Sequence, residues 1–465
     1  MRRTDDGGVL TRQRLADVAL GRRPADLVLR DARVVNVFTG EVEPADVAVV
    51  DGRVAALGSY RGPREVQLAG RFLAPGLCDA HVHLESSHLT PTEFARAVVP
   101  RGTVSVLADP HELANVGGPD AVRWFVADAA ATPLKVRTMV PSCVPASPFG
   151  TPGRVLDAAD VAALTELPGV EGLAEVMDVP AVLAGDPDVL AKLAAVQGRL
   201  IDGHAPGLRG AELCAYLDHD IRSDHEVVAG AELREKVARG MYVGLRQGSS
   251  AKNLRDLLPS VDPYVARRCF LVTDDRSAVD LAEVGHLDDC LRICVAQGMP
   301  PAAAVALATL NPAAYLGLRD RGAVAPGYVA DLIAYDDLEK FDASLVFVDG
   351  EIVARDGEPL WEPAPVPPPA GLRDTVRLDP LRADAFRAPV TGGTVRVIDA
   401  TPGQLVTGAS LHPVRPGDDL AADPAADIVK VAVLERHHGS GRRGLGLVRG
   451  LGLRRGAIAS TMAHD

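Results

Sequence analysis

His81 and His83 stand two positions apart, directly after the apolar run FLAPGLCDA. Residues i and i+2 of a β-strand point to the same side, so both imidazoles can reach one cation. By itself the pair is a weak signal, because a chain with 12 histidines among 465 residues contains such spacings by chance. A metal site therefore needs further ligands from other parts of the chain.

Further ligating side chains fall where other apolar runs stop. Glu175 lies within GLAEVMD, where a carboxylate is costly to bury without a cation. His204, His225 and Asp274 end the runs RLIDGH, IRSDH and CFLVTD. Four imidazoles and two carboxylates suit a pair of divalent ions with one shared ligand, so the pattern predicts a two-metal site. Unrelated polar strand ends are the alternative.

The chemistry that such a site supports is hydrolysis. A water shared by two cations loses its proton near neutral pH and becomes a hydroxide nucleophile. A carboxylate oxygen beside it can take up that proton and pass it to the leaving group. Asp274, at the end of the last apolar run of this region, is placed for that role.

The surrounding pattern predicts a barrel that would position these ligands. Between about residues 75 and 317, short apolar runs alternate with helical patterns, which predicts an α/β fold with a closed (β/α)8 barrel. In that fold chemistry gathers at the carboxyl ends of the strands. Residues 26–58 and 322–356 instead alternate apolar and polar positions, with Asp51-Gly52 and Asp349-Gly350 as hairpin turns, and indicate short antiparallel strands on both flanks.

The C-terminal part of the chain has a different composition. Residues 361–372 are rich in proline and predict an extended linker, and strand-like runs follow in residues 373–465. The sequence GSGRRG resembles a dinucleotide-binding loop, but no helical pattern follows it, so that interpretation is rejected. Glu435, His437 and His438 could form another metal site, although an exposed loop is favoured.

Charge and cysteine content limit the class of protein. The net charge of −13 gives no basis for binding nucleic acid or an anionic membrane, so a small neutral or cationic substrate is expected. The N-terminus lacks the apolar segment of a signal peptide, and no apolar run is long enough for a membrane helix. The 6 cysteines form no CxxC pair. A cytoplasmic protein with reduced thiols is therefore expected.

Several segments resemble the amidohydrolase superfamily and, within it, the two-metal bacterial adenine deaminases. PGLCDAHVHLESS (75–87) resembles the first-strand motif of the superfamily, and TLNPAAYLGL (309–318) resembles its closing segment. The narrower resemblance is carried by ADPHELANVGG, VPSCVPASPF, DGHAPGL, RQGSSAKNL, LVTDDR and GHLDD, and in the C-terminal part by ERHHGSGR and GAIASTMAHD.

The resemblance implies a fold and a domain order. Residues 75–317 would form a distorted (β/α)8 TIM barrel, and residues 1–74 and 318–360 a small composite β-sandwich. The Pro-rich linker, 361–372, would lead to a C-terminal α/β domain at 373–465. Proteins of this family extend beyond the motif in which the chain ends, so that domain is expected to be incomplete.

The resemblance also implies an activity: hydrolysis of adenine to hypoxanthine and ammonia by a metal-activated hydroxide, in purine salvage. Two divalent ions are expected, manganese or iron(II) with zinc as the alternative, and the protein could form a homo-oligomer. Asp274 and Glu175 would be catalytic, with Glu175 bridging the ions. The metal ligands would be His81, His83, Glu175, His204, His225 and Asp274, and the residues holding the substrate Glu85, Asp109, His111, Glu112, Arg246 and Ser249, with Lys252 and Asn253 beside them.

Two alternatives stay open. One is a related hydrolase that acts on another aminopurine or on a cyclic amide. The other is a truncated, non-catalytic scaffold that has kept the barrel.

Overall fold

The computed structural model describes residues 6–147, 149–404 and 406–460 of the chain. The first half of the motif GAIASTMAHD is therefore included, but its last five residues, 461–465, lie outside the described residues. Residues 1–5, which begin the N-terminal segment that is not expected to be a signal peptide, also lie outside the described residues. No helix of the described ranges is both long and apolar enough to cross a lipid bilayer.

The N-terminal flank consists of one helix and five strands, and the barrel region follows. The flank contains α1 (Asp6–Ala19), β1 (Leu27–Val35), β2 (Val42–Val50), β3 (Arg53–Leu57), β4 (Arg64–Gln67) and β5 (Phe72–Pro75). The barrel region contains β6 (Leu77–Val82), α2 (Pro91–Val98), β7 (Thr103–Ala108), α3 (His111–Gly117), α4 (Pro119–Ala129), β8 (Lys135–Val140), α5 (Ala158–Thr165), β9 (Val170–Val176), α6 (Val179–Ala184), α7 (Pro187–Ala195), β10 (Leu200–Gly203), α8 (Gly210–Asp218), β11 (Ser223–Asp224), α9 (Gly230–Ala238), β12 (Tyr242–Arg246), α10 (Leu254–Leu257), β13 (Cys269–Val272), α11 (Ala278–Glu283), α12 (Leu287–Ala296), α13 (Pro301–Leu307) and α14 (Leu310–Tyr315).

Two further groups of strands complete the described chain. The second flank contains β14 (Leu332–Tyr335), β15 (Ala343–Val348), β16 (Glu351–Arg355) and β17 (Glu358–Pro359). The C-terminal part contains β18 (Thr394–Asp399), β19 (Gly408–Pro413), β20 (Ile428–Leu434) and β21 (Arg443–Arg449).

The eight barrel strands run parallel, as the alternation of strands and helices predicted. They form a five-stranded sheet, β6 to β10, and a three-stranded sheet, β11 to β13. One seam is closed by a parallel bridge between Val82 and Asp274, and the other by the Arg222 amide, which donates to Ile201 O at 3.4 Å. Because each seam is held by so few hydrogen bonds, the barrel is distorted, in agreement with the prediction.

A small apolar cluster fills the barrel interior. It includes Leu107 of β7, Met139 of β8, Ala174 of β9 and Phe270 of β13, together with Tyr315 of α14. Strands β9 and β13 lie on opposite sides of the barrel, so their side chains can meet only inside it. This apolar cluster packs beneath the carboxyl ends of the strands and supports the polar side chains located there.

Both flanks contribute to one nine-stranded sheet, which bends so that distant strands share a core. Val54 of β3 and Phe347 of β15 belong to the same apolar cluster. The two hairpins meet, because a Cβ on Gly52 would lie 2.8 Å from the backbone oxygen of Asp349. Strand β1 pairs in parallel with β4 and β5, which the sequence did not indicate. Alternating polarity reveals a half-buried strand but not the direction of its partner.

The C-terminal part forms a four-stranded sheet in the order β19-β18-β21-β20. The domain was expected to be α/β, but residues 373–404 and 406–460 contain strands and short 3₁₀ turns and no α-helix. Frequent Gly and Pro and alternating Val and Ile disfavour helix there. The Pro-rich segment has no regular secondary structure before a 3₁₀ turn at Ala370–Leu372, and it contacts the barrel. Trp124 Nε1 donates to Val366 O at 2.8 Å, and the Val366 amide donates to Asp128 Oδ1 at 2.7 Å.

A fully buried lysine ties together the loops after β10 and β11. Lys236 Nζ donates to Asp224 Oδ2 at 2.7 Å, to Glu232 Oε1 at 2.6 Å and to Ala205 O at 2.6 Å. The Lys236 and Asp224 side chains are both 0% exposed. Removing one partner of a buried ion pair leaves an uncompensated charge, which costs far more than the loss of an exposed pair.

Lys236→Met is therefore expected to lower the free energy of unfolding of the metal-free protein by about 3–5 kcal/mol. The matched control is Arg234→Met on the same helix, because Arg234 pairs with Asp262 at the surface and contributes about 0–1 kcal/mol. Urea denaturation of both variants measures the difference. Equal midpoints for the two variants would contradict the structural role given to Lys236.

Candidate metal centre

The six predicted ligands converge on one buried site at the carboxyl ends of the barrel strands. They come from β6 and the residue after it (His81, His83), from β9 (Glu175), and from positions just after β10, β11 and β13 (His204, His225, Asp274). Among these side chains only that of His204, 12% exposed, retains appreciable contact with solvent. Residues spread over the barrel sequence thus meet because parallel strands end at the same face.

Glu175 lies at the centre of this group. Its Oε1 lies 3.3 Å from His83 Nε2. Its Oε2 lies 2.6 Å from His204 Nδ1 and 3.3 Å from His225 Nε2. Each carboxylate oxygen therefore faces different imidazoles, which is the arrangement a ligand needs in order to bridge two ions.

Asp274 completes the group from the opposite side of the barrel seam. Its Oδ1 lies 3.2 Å from His83 Nε2, and its Oδ2 lies 3.6 Å from His225 Nε2. The Asp274 backbone has φ 57°, in the left-handed region that non-glycine residues seldom adopt. Hydrogen bonds at the seam hold it there: the Asp274 amide donates to His81 O and the His83 amide to Asp274 O, both at 3.1 Å. Backbone strain of this kind is typical of functional sites.

Two partners orient the first pair of histidines. His81 Nδ1 lies 2.9 Å from Asp202 Oδ2, and His83 Nδ1 lies 2.8 Å from Asp109 O. An Nδ1–H donated to these acceptors leaves both Nε2 atoms directed at the centre as ligand nitrogens. Asp202 was not predicted, although it carries the same signal as Glu175, an acid within a buried strand.

Asp202→Ala is expected to weaken divalent-metal binding by about 10–100-fold, because the acceptor that fixes the ring of His81 is lost. Titration of metal-free protein with Mn²⁺, followed by isothermal calorimetry, measures the change. Tyr315→Phe is the control, since it removes a hydroxyl 3.1 Å from Asp202 Oδ1 but leaves the contact with His81 in place. Unchanged affinity in Asp202→Ala would contradict the orienting role.

The charges at the site are balanced within the chain. Burial opposes ionisation of Glu175, but His204, His225 and His83 outweigh it and hold its pKa well below the ordinary value. Burial likewise opposes protonation of His83, yet Asp274 and Glu175 raise its pKa well above the usual range. Protonated imidazoles thus supply the positive charge that a bound divalent cation would supply in their place.

The donor atoms fit divalent cations. His225 Nε2 has three carboxylates within 3.6 Å, those of Glu175, Glu226 and Asp274, yet it makes no hydrogen bond to any described residue. Both carboxylate oxygens of Asp109 are buried and also have no hydrogen-bond partner in the described ranges. Buried ligand atoms that converge on one centre, some of them without a hydrogen-bond partner, are what a metal site requires.

Two of the predicted substrate residues lie within the donor cluster itself. His111 Nδ1 lies 3.2 Å from Asp109 Oδ2 and 3.2 Å from Glu175 Oε1. With His83 these residues form a group whose ligand atoms all lie within 4.8 Å of one another. Glu85 lies just beyond it. Burial raises the pKa of Glu85 to about 7, and its Oε1 accepts the Glu112 amide at 3.1 Å.

Arg246 pairs with the site's carboxylates. Its guanidinium contacts Glu226, lies 2.5 Å from Asp274 Oδ2, and lies 3.0 Å from Asp275 Oδ2. The geometry therefore supports a role in holding Asp274 rather than the substrate contact proposed from the sequence. Glu226 was not singled out as a site residue, although SDHE places it directly after His225.

The structure does not bring the remaining predicted substrate residues into the cluster. The Ser249 hydroxyl donates to Asp280 and accepts the Ser277 amide at 2.8 Å. The Lys252 amide donates to Gly403 O at 3.1 Å, and Asn253 Nδ2 donates to Gln404 Oε1 at 2.8 Å. Polar residues after a barrel strand serve packing as often as binding, so sequence position alone could not separate the two.

Comparison with protein families gives two matches. The model described as the Amidohydrolase family matches residues 72–353, and that of the Adenine deaminase C-terminal domain matches residues 404–465. Adenine deaminase 2 of Carboxydothermus hydrogenoformans is 46% identical over 97% of this chain and 79% of its own length. The adenine deaminase of Cereibacter sphaeroides is 43% identical over 97% of this chain and 80% of its own length.

Solved structures share the fold at low sequence identity. An atrazine chlorohydrolase of Arthrobacter aurescens, in complex with zinc, has a TM-score of 0.54 at 17% identity, over 72% of this chain and 97% of its own. A D-hydantoinase has a TM-score of 0.53 at 16% identity, over 73% of this chain and 97% of its own. These likenesses concern the fold alone.

Proposed function

The chain belongs to the amidohydrolase family, and we propose on that premise that it hydrolyses adenine to hypoxanthine and ammonia. The observation that carries the proposal is the position of Glu175, whose two oxygens face four imidazoles brought from four different parts of the barrel, those of His83, His111, His204 and His225. Relatives named adenine deaminase, 43–46% identical over most of this chain, indicate the substrate.

The cluster binds divalent metal, and we propose that it holds two ions. His81, His83 and Asp274 would hold one, His204 and His225 the other, and Glu175 would bridge them. Nitrogen and oxygen donors together suit manganese or iron(II), with zinc as the alternative. When bound, the ions supply an activated water at the centre of the cluster.

Deamination needs a bond from oxygen to carbon 6 of the purine and loss of the exocyclic amine. One water is consumed, and its two protons end on the ring and on the departing ammonia. Asp274 is the proposed proton carrier, because its carboxylate lies beside the imidazoles of His83 and His225 and its buried Oδ2 has no hydrogen-bond partner among the described residues. Arg246, 2.5 Å from Asp274 Oδ2, keeps that carboxylate in place. His111 and Asp109, which lie within the cluster, would hold the purine.

The proposal is tested by turnover. Metal-free protein loaded with Mn²⁺ is incubated with adenine, and hypoxanthine and ammonia are measured in parallel. We expect the two products in equal amounts. Turnover of guanine or of a hydantoin without turnover of adenine would contradict the proposed substrate, and loading without any turnover would favour a non-catalytic role.

A further inference from the structure

A cavity of about 500 Å³ opens beside the metal cluster, between the barrel and the C-terminal sheet. His111 and Cys143 line its barrel side, and His111 Nδ1 lies 3.2 Å from Glu175 Oε1. The opposite wall is formed by the ends of β20 and β21 and by residues 435–442 between them, here termed the rim loop. The cavity therefore joins the proposed catalytic centre to a second part of the chain.

Glu435 sets the shape of the rim loop. Its Oε1 accepts the amides of His437 at 2.5 Å and His438 at 2.8 Å, and its Oε2 accepts both the amide and the hydroxyl of Ser440, at 3.0 and 2.6 Å. One buried carboxylate thus gathers four donors of its own loop. It is engaged in holding the loop, which argues against the second metal site considered from the sequence.

The rim loop rests directly on the segment that leads to the catalytic centre. His438 Nε2 lies 2.9 Å from Pro152 O. The next amide, of Gly153, donates to Asn115 O at 2.9 Å, and Asn115 belongs to α3, which begins at His111. A Cβ on Gly153 would lie 2.9 Å from His437 Nδ1, so the two segments are packed as closely as glycine allows. A shift of the rim loop must therefore move one wall of the cavity.

Beside Arg436, Arg442 and Arg443, the walls of the cavity also carry uncharged groups that can pair with the edge of a flat heterocycle. His437 lines the cavity, and burial lowers its pKa, so its imidazole is uncharged near neutral pH and presents one donor and one acceptor. Asn115 lines the opposite side. The edge of a purine that faces away from the metal ions carries one ring nitrogen that donates a hydrogen bond and one that accepts. The side chains of His437 and Asn115 can pair with these two nitrogens.

We infer that this cavity is the purine-binding pocket and that Glu435 is a positioning residue, which holds the rim loop as the outer wall against the base. The inference rests on the proposed function, since it assumes adenine as the substrate. It assigns to the C-terminal domain a part in substrate binding but none in the chemical step.

The test is the split between KM and kcat in Glu435→Gln. A glutamine keeps one acceptor oxygen and replaces the other by a donor, so the rim loop loses either the bonds from the His437 and His438 amides or the bond from the Ser440 amide. We expect KM for adenine to rise about tenfold or more, with kcat within about threefold of wild type and metal content unchanged, because binding common to ground and transition state is lost.

Asp423→Asn is the matched control. Asp423 lies before the N-terminal end of β20, whereas Glu435 follows its C-terminal end. The Asp423 carboxylate accepts the amides of Ala425 and Ala426, but it does not line the cavity. KM should stay at the wild-type value in this variant. If Glu435→Gln does not fold, His438→Ala, which removes the contact with Pro152, should raise KM by a smaller factor.

A wild-type KM in a folded Glu435→Gln, or in His438→Ala, would overturn the inference while leaving the proposed function intact. Calorimetry with adenine also distinguishes failure of this inference from failure of the proposed function. Adenine that binds the wild-type protein without turnover, and binds Glu435→Gln more weakly, would contradict the proposed function alone. Absence of adenine binding to the metal-loaded wild type would overturn both.

Discussion

Glu175→Gln is expected to lower kcat/KM for adenine by about 10³-fold or more, equivalent to about 4 kcal/mol of transition-state stabilisation. A neutral amide presents one acceptor oxygen where the carboxylate presents two. It therefore cannot bind one ion on the side of His83 and a second ion on the side of His204 and His225. We therefore expect the variant to hold fewer than two ions per chain. Steady-state kinetics together with elemental analysis of the purified protein measure both effects.

The matched control for this variant is Glu171→Gln. Glu171 lies on the same strand, β9, but its side chain is 34% exposed and pairs with Arg137 at the opposite end. Its replacement should change neither kcat/KM nor metal content appreciably. Two ions and near-normal activity in Glu175→Gln would show that the carboxylate does not bridge.

Asp274→Asn is expected to lower kcat by about 10²–10⁴-fold, the usual contribution of a general acid–base group. Asparagine is well suited to the test, because it tolerates the left-handed backbone that Asp274 adopts at φ 57°. The variant should therefore fold, and its oxygen can still face His83. Pre-steady-state measurement of hypoxanthine formation at saturating adenine isolates the chemical step.

Asp275→Asn gives the comparison for this second prediction. The Asp275 carboxylate pairs with Arg246 at 3.0 Å and contacts Ser86 rather than the imidazoles. Its loss should reduce kcat by less than about tenfold, through looser positioning of Arg246. Similar losses in the two variants would argue that Asp274 acts only through the ion-pair network and carries no proton.

The ligands could be predicted because each one breaks an apolar pattern. A histidine or acid at the end of a buried run has few structural reasons to be there, and parallel strands of a barrel bring such ends to one face. Asp202 also breaks the apolar pattern of its strand, but its carboxylate holds His81 and does not face the centre. The sequence pattern does not distinguish these two roles.

Other features depend on geometry that a linear pattern does not carry. The left-handed backbone of Asp274 arises from hydrogen bonds across the barrel seam, between residues far apart in sequence. The surroundings of Arg246, three carboxylates, are likewise set by the meeting of β11, β12 and β13. Gly153 packs against His437, which is distant along the chain. The sequence of neither segment indicates this contact.

The bridging position of Glu175 can be observed by anomalous diffraction from crystals of the Mn²⁺-loaded protein, measured at the manganese absorption edge. We expect two anomalous peaks, one on each side of Glu175, with a different oxygen of its carboxylate facing each. The imidazoles of His81 and His83 should contact one peak and those of His204 and His225 the other. A single peak that does not contact Glu175, or peaks outside this cluster, would show that Glu175 does not bridge two metal ions.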